Sequence, residues 1–99
     1  MTVMEKEIER RLSQTVKKRG GLALKWVCPG WAGVPDRIVL LPGGRIYFVE
    51  LKRPDGRASE RQKWWANKLR ILGFDCYFLL SVEDVDNFDQ FLTTEEAGV

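Results

Sequence analysis

An α/β fold, a mixed sheet flanked by helices, is predicted by three observations. Apolar residues recur at helical spacing in some segments and at strand spacing in others, and the two kinds follow one another as helix, three strands, helix, strand, helix. Two of the strands are parted only by Pro42-Gly43-Gly44, a hairpin signal. The strand-helix-strand step from residue 46 to residue 80 favours a parallel pair joined by a right-handed crossover. With 99 residues, one domain spanning 1–99 is expected, without internal repeat or interdomain linker.

Each element has its own signal. Residues 2 to 19 predict a helix, because Met4, Ile8, Leu12 and Val16 form one apolar stripe. Lys17, Lys18 and Arg19 suit the negative end of its dipole, and Gly20-Gly21 stops it. Leu22, Leu24, Trp26 and Cys28 alternate weakly and predict a strand over residues 22 to 28. Pro29 to Pro35 is a loop. Asp36 to Leu41 and Arg45 to Lys52 are the hairpin strands. After a turn at Arg53-Pro54-Asp55-Gly56, a helix runs from about Ser59 to Leu72, with Ser59 and Gln62 as a capping box and Gly73 as its stop. Its stripe of Trp65, Leu69 and Leu72 is expected in the core. Phe74 to Leu80 is a short apolar strand. Ser81 caps a short C-terminal helix carrying Val85, Phe88 and Leu92 on one face, and Thr93 to Val99 is expected to fray.

Composition excludes several functions. No apolar stretch of about 18 residues is present to span a membrane, and Met1 to Glu9 lacks the apolar core of a signal peptide. A cytosolic protein with two reduced, packed thiols, Cys28 and Cys76, is the simplest reading. Histidine is absent, which removes His-based zinc sites and Ser-His triads. Net charge is only +2, but it is segregated: residues 1 to 70 carry all sixteen bases with seven acids, and residues 71 to 99 carry seven acids and no base. A basic body suits a phosphate backbone, unless the acidic tail folds back and cancels the field.

Asp36, Glu50 and Lys52 concentrate the chemistry. Strand residues two apart share a face, so Glu50 and Lys52 point the same way. A three-residue loop pairs Leu41 with Arg45, and that register sets Asp36 opposite Glu50 on the same face. Opposed carboxylates repel unless a cation sits between them, and magnesium suits the pair because it needs few protein oxygens. The Leu51 carbonyl would add a further ligand. A metal held this way drives phosphodiester hydrolysis. Lys52 would orient the attacking water, help remove its proton, or stabilise charge on the phosphoryl oxygens. The bland alternative is a turn aspartate and an exposed Glu-Lys pair.

Val34-Pro35-Asp36, the hairpin, and Val49-Glu50-Leu51-Lys52 together resemble the PD-(D/E)xK nuclease superfamily. Ser59, Gln62, Trp65, Leu69 and Gly73 follow at the spacing of the VRR-NUC family. Gly33-Val34-Pro35-Asp36-Arg37 and Ser81-Val82-Glu83-Asp84 are similar to that family as well. The resemblance runs from about Glu5 to Val85 and implies a restriction-endonuclease-like α-β-β-β-α-β core. It implies Asp36 and Glu50 as metal ligands, Lys52 as the catalytic lysine, Gln62 as the helix glutamine beside the site, and Glu7 as the first-helix glutamate. It further implies a Mg2+-dependent endonuclease, with Mn2+ able to substitute and no organic cofactor, leaving a 5′-phosphate and a 3′-hydroxyl. Small stand-alone members resemble phage-type enzymes acting inside a bacterial cell on branched DNA, Holliday junctions above all, in repair and recombination. Junction symmetry then calls for a C2 homodimer. A flap or general duplex DNA nuclease, or a non-catalytic nucleic-acid-binding dimerising module, are the competing expectations.

Arg53, Arg57, Arg61 and Lys63 follow the Glu50 strand closely and would flank a phosphate path, or else form a solvated helix face. Trp64 points away from the Trp65 stripe and would serve as a dimer contact, a base-stacking platform or a half-covered aromatic. Trp31 could likewise reach a partner subunit or DNA.

Overall fold

The computed structural model describes residues 3–97. Seven elements occur in the expected order: α1 Val3–Lys18, β1 Leu22–Lys25, β2 Arg37–Leu41, β3 Arg45–Leu51, α2 Glu60–Ile71, β4 Asp75–Leu79 and α3 Val82–Ala97. The strands form one sheet in the order β1-β2-β3-β4. The first two pairings are antiparallel and the last is parallel, so the sheet is mixed. The expected helix start at Thr2 and the last tail residues, Gly98 and Val99, lie outside the described residues.

Strand alternation sends apolar residues to both faces. On one face Val39, Leu41, Tyr47, Val49, Leu51 and Leu79 pack with Ile8, Leu12 and Val16 of α1 and Val85, Phe88 and Leu92 of α3. On the other, Phe48 and Cys76 pack with Ala66 and Leu69 of α2, joined by the partly buried Trp26, Ile38, Trp65 and Phe78. Both cysteines are free thiols, and burial pushes the Cys76 thiol up to about 11.

Three sequence expectations are corrected. β1 ends at Lys25 rather than residue 28, although Trp26 still donates its N–H to the Asp36 carbonyl at 2.9 Å. Leu72 is exposed rather than in the core, because it is the C-cap of α2, and the buried positions of the helix are Leu69 and, one turn before that, Ala66. The C-terminal helix is not short and does not fray at Thr93. It continues to Ala97, with Glu96 in its last turn bonded by Arg19 at 2.9 Å and Arg45 at 3.0 Å. Ser81 Oγ accepts from the Asp84 N–H at its start, as expected of a cap.

The α1 stripe anchors the helix layer. Leu12 is fully buried between the sheet and α3. Leu12→Ala should therefore destabilise the fold by about 2–5 kcal/mol, read as a lower urea midpoint with unchanged slope. A loss well below about 1 kcal/mol would contradict this packing.

Candidate active site

The hairpin register decides which side chains meet. Leu41 pairs with Arg45 across Pro42–Gly44, and pairing continues to Arg37 opposite Val49. One further step sets Asp36 opposite Glu50, on the face that α2 covers. Gly43 and Gly44 take φ of 85° and 76°, the left-handed region that lets so short a loop close.

Asp36 stands in the bend just before β2 and reaches across the hairpin, where its Oδ1 accepts the Leu51 N–H at 3.2 Å. The N–H and carbonyl of a strand residue point to one edge, so the Leu51 carbonyl faces the Asp36 side as well. On the opposite edge, the Lys52 N–H donates to the Leu79 carbonyl at 3.0 Å. The Lys52 ammonium lies 3.8 Å from Glu50 Oε2. Gln62 donates from Nε2 to the same oxygen at 3.1 Å. Its other amide atom, Oε1, accepts the Ser59 N–H at 2.9 Å, while Ser59 Oγ accepts the Gln62 N–H. The capping box thus fixes which way the Gln62 amide faces and presents its NH2 to the carboxylate.

The loop before Asp36 is fastened to α2. Trp65 Nε1 donates to the Ala32 carbonyl at 3.1 Å, and Trp31 packs edge-on against Trp65. Gly33 lies flush on the helix with φ of 90°, and a Cβ there would come within 2.9 Å of Arg61 Cβ. Any larger residue at 33 would push the loop, and Asp36 with it, away from Gln62.

Electrostatics set this acid pair apart. Burial pushes the Asp36 carboxyl up, and Arg37 and the Leu51 N–H only partly oppose it. Burial first, and the Asp36 charge second, push the Glu50 carboxyl up to about 7, with Lys52 opposing. Among the described residues, no three Asp, Glu, His or Cys side chains gather as a metal cluster. A cation here would be held by two carboxylates and the Leu51 carbonyl. That hard, oxygen-only donor set fits magnesium, which keeps several waters of its own.

The other expected residues lie outside this bonded centre. Arg53, Arg57, Arg61 and Lys63 are all exposed on the segment from the end of β3 into α2. Arg53 and Lys63 make loose pairs with Asp55 and Glu60, each at 3.4 Å, between exposed partners that contribute little. Glu7 does not point inward: it is exposed on α1. With Ile8 and Leu12 turned to the core, Glu7 and Glu9 lie on opposite flanks of the stripe, and Glu9 faces the sheet. Glu9 Oε2 accepts from Arg37 Nη2 at 2.6 Å, and Arg37 Nη1 donates to the Asp36 carbonyl at 2.9 Å. Arg37 is only 4% exposed. This Glu9–Arg37 pair behind Asp36 was missed in the sequence. The available signal was the parity of Arg37, which puts a cation on the core side of β2 and so demands an acid from the helix above it.

The raised Glu50 carboxyl carries a stability consequence. In the unfolded chain it returns to the ordinary value near 4.5, so between there and about 7 the folded state binds more protons. In metal-free buffer, stability should therefore fall as pH rises from about 4.5 to about 7, by at most roughly 3 kcal/mol, and level off above. Glu50→Gln should flatten that slope and raise the melting temperature at pH 8. Matched urea titrations of both proteins across this range check it, and a wild-type stability that climbs with pH would refute it.

Three comparisons with known proteins bear on identity. No family model matches the sequence. The chain is 48% identical over 71 residues, 72% of its length and 76% of the relative's, to a protein of Acyrthosiphon pisum secondary endosymbiont phage 1 named "Putative nuclease p44". A solved structure described as a VRR_NUC domain superposes with a TM-score of 0.84 at 27% identity, covering 90% of this chain and 97% of that one. Identity with the phage relative extends over most of both chains, and the solved domain shares the fold nearly end to end; the chain belongs to the VRR-NUC family of nucleases.

Proposed function

We propose that the protein is a Mg2+-dependent endonuclease that hydrolyses phosphodiester bonds in branched DNA, four-way junctions in particular, leaving a 5′-phosphate and a 3′-hydroxyl. One observation carries the catalytic part: Asp36 and Glu50 face each other across a hairpin with the Lys52 ammonium 3.8 Å from Glu50. A buried Glu50 whose proton affinity is raised by burial and by the Asp36 charge, beside an Asp36 raised by burial, forms a site suited to a divalent cation. A bound cation would supply Lewis-acid polarisation of the phosphoryl oxygen and the charge that makes water a nucleophile near neutral pH.

The chain's own residues do the remaining work. Gln62 and Lys52 hold the Glu50 carboxylate from two sides. Lys52 is positioned to orient the attacking water and to stabilise charge growing on the phosphate. Arg37 holds the Asp36 peptide in place from behind. Arg53, Arg57, Arg61 and Lys63 would take flanking phosphates on the α2 side. The phage origin of the relative supports action inside a bacterial cell, and among the described residues no helix is long and apolar enough to cross a membrane.

The junction substrate and the homodimer belong together, because paired nicks at a two-fold junction need two sites related by the same symmetry. The sheet offers a surface for a second copy. Leu22, Leu40 and Ile46 form one cross-strand row at the end of the α2 face away from Asp36, Leu22 is 59% exposed there, and Phe74, just before β4, packs edge-on against Phe48 on the same face. Leu24, beside them, is also exposed.

Incubation with labelled junction, flap and linear duplex should give symmetric junction nicks in magnesium and none in chelator. Asp36→Ala, Glu50→Ala and Lys52→Ala should each lower the rate by about 10²-fold or more while keeping the fold. Equal cutting of linear duplex would overturn the junction preference, and DNA binding without any product would overturn the enzyme. Sedimentation should show a dimer that Leu24→Asp with Ile46→Lys converts to monomer. A wild-type monomer at assay concentration would remove the two-site account.

A further inference from the structure

We infer that the groove between α1 and β1 is a second backbone-binding site, taking the phosphates of DNA on the side of the catalytic pair opposite α2. The inference rests on the nuclease reading for its ligand and on a separate set of residues for its geometry. The groove has a volume of about 400 Å³ and is lined by Lys6, Glu9, Arg10, Ser13 and Lys25. Lys6, Arg10 and Lys25 are exposed, and among the described residues they enter no ion pair. Glu9 is the acid in the lining, and its carboxylate is committed to Arg37 at 2.6 Å. The groove therefore keeps its positive charge.

That charge contrasts with the arginines on the other flank of α1, although Lys17 and Lys18 near its C-terminus are exposed and also enter no ion pair among the described residues. On the flank facing α3, Arg11 is paired with Asp86 at 3.0 Å, and Arg19 with Asp89 at 2.7 Å and Glu96 at 2.9 Å. The α3 acids have gathered where the helices meet, and the groove's own lining acid, Glu9, is held by Arg37. A polyanion approaching α1 meets a flank on which Arg11 and Arg19 are neutralised, and a groove on which Lys6, Arg10 and Lys25 are not.

Spacing and position fit a nucleic-acid strand. Lys6, Arg10 and Ser13 recur at i, i+4 and i+7 along one face of α1, a run of about 10 Å at ~1.5 Å per residue. Successive phosphates of one strand advance about 3.4 Å along the duplex axis, so the run matches about three of them. Ser13 adds a neutral hydroxyl donor, a common phosphate contact. Lys25 pairs in register with Arg37, the residue next to Asp36. The groove thus opens beside the catalytic end of the sheet. The groove lies at the same end of the sheet as Asp36 and Glu50 but on the α1 face, while Arg53, Arg57, Arg61 and Lys63 follow on the α2 side, so a strand crossing that end of the sheet would be held on both sides of the scissile bond.

The test is the salt dependence of DNA binding, measured by fluorescence anisotropy in chelator with a labelled junction and a labelled duplex between about 50 and 200 mM salt. The wild-type protein is compared with the triple variant Lys6→Ala, Arg10→Ala, Lys25→Ala, and with the charge-keeping triple Lys6→Arg, Arg10→Lys, Lys25→Arg. Removing three phosphate contacts should make the log–log salt slope shallower by about 2 to 3 and weaken binding at least about tenfold on both DNAs. The charge-keeping triple should retain the wild-type slope. An alanine triple that binds as wild type overturns the groove and leaves the nuclease reading standing. A charge-keeping triple as weak as the alanine triple overturns it too, because shape and not charge would then be responsible. Wild type that binds DNA but makes no cut in magnesium ends the nuclease reading, while the slopes still decide the groove. Wild type that binds neither DNA ends both.

Discussion

A three-residue loop leaves the β2–β3 hairpin in odd register, and a shift of one residue would turn Asp36 to the opposite side of the sheet from Glu50. The register is guarded far from the loop. Val39 and Leu41 on one strand and Tyr47, Val49 and Leu51 on the next are all buried on the α1–α3 face. A slip of β3 by one residue would turn Val49 and Leu51 out of that core and bring Glu50 into it, setting a carboxylate among apolar side chains. The position of two acids on the far side of the sheet is thus enforced by hydrophobic packing on the near side. Function at one face is fixed by stability at the other.

The acids themselves work against the fold. Each is partly removed from water beside a like charge, and burial is the largest influence on both. The protein offsets this only in part. Asp36 gains the Leu51 N–H, Glu50 gains the Gln62 amide, and Lys52 and Arg37 contribute charge from close by. The Glu50 carboxyl nevertheless stays near neutrality in its proton affinity. A ligand that binds only the folded state and relieves this repulsion would stabilise the chain as it completes the site, so cation affinity and fold stability are linked quantities. Gln62 shows how closely the two are joined, since one side chain closes the α2 capping box and steadies a candidate ligand.

Local signals made most of this legible in the sequence. The helix stripes, the Pro42-Gly43-Gly44 loop and the Ser59/Gln62 box are short-range patterns, and they placed every element and the parity of Asp36, Glu50 and Lys52. The failures were long-range. Thr93 to Val99 has little apolar content and by itself predicts fraying, whereas the ion pairs from Arg19 and Arg45 that hold Glu96 join residues far apart in the chain. Leu72 kept the helical period but sat where α2 runs out of sheet to cover. Glu7 and Glu9 are indistinguishable by composition, and only the docking rotation of α1, set by Ile8 and Leu12, separates them.

That rotation also explains why the acidic tail does not cancel the basic body. α3 packs beside α1 on the face away from the acid pair, so its carboxylates reach Arg11 and Arg19, and Glu96 reaches Arg45 near the hairpin loop. These pairs are mostly exposed and contribute little to stability one by one. Their larger effect is on the field, because they remove positive charge from the surfaces where a phosphate backbone would be held unproductively. Among the described residues, cations near the Asp36 end of the sheet have no such partners on α3. A net charge of only +2 therefore conceals a strongly polarised molecule. The segregation of bases and acids along the chain becomes, through the α1–α3 packing, a segregation in space that would steer a polyanion toward Asp36 and Glu50.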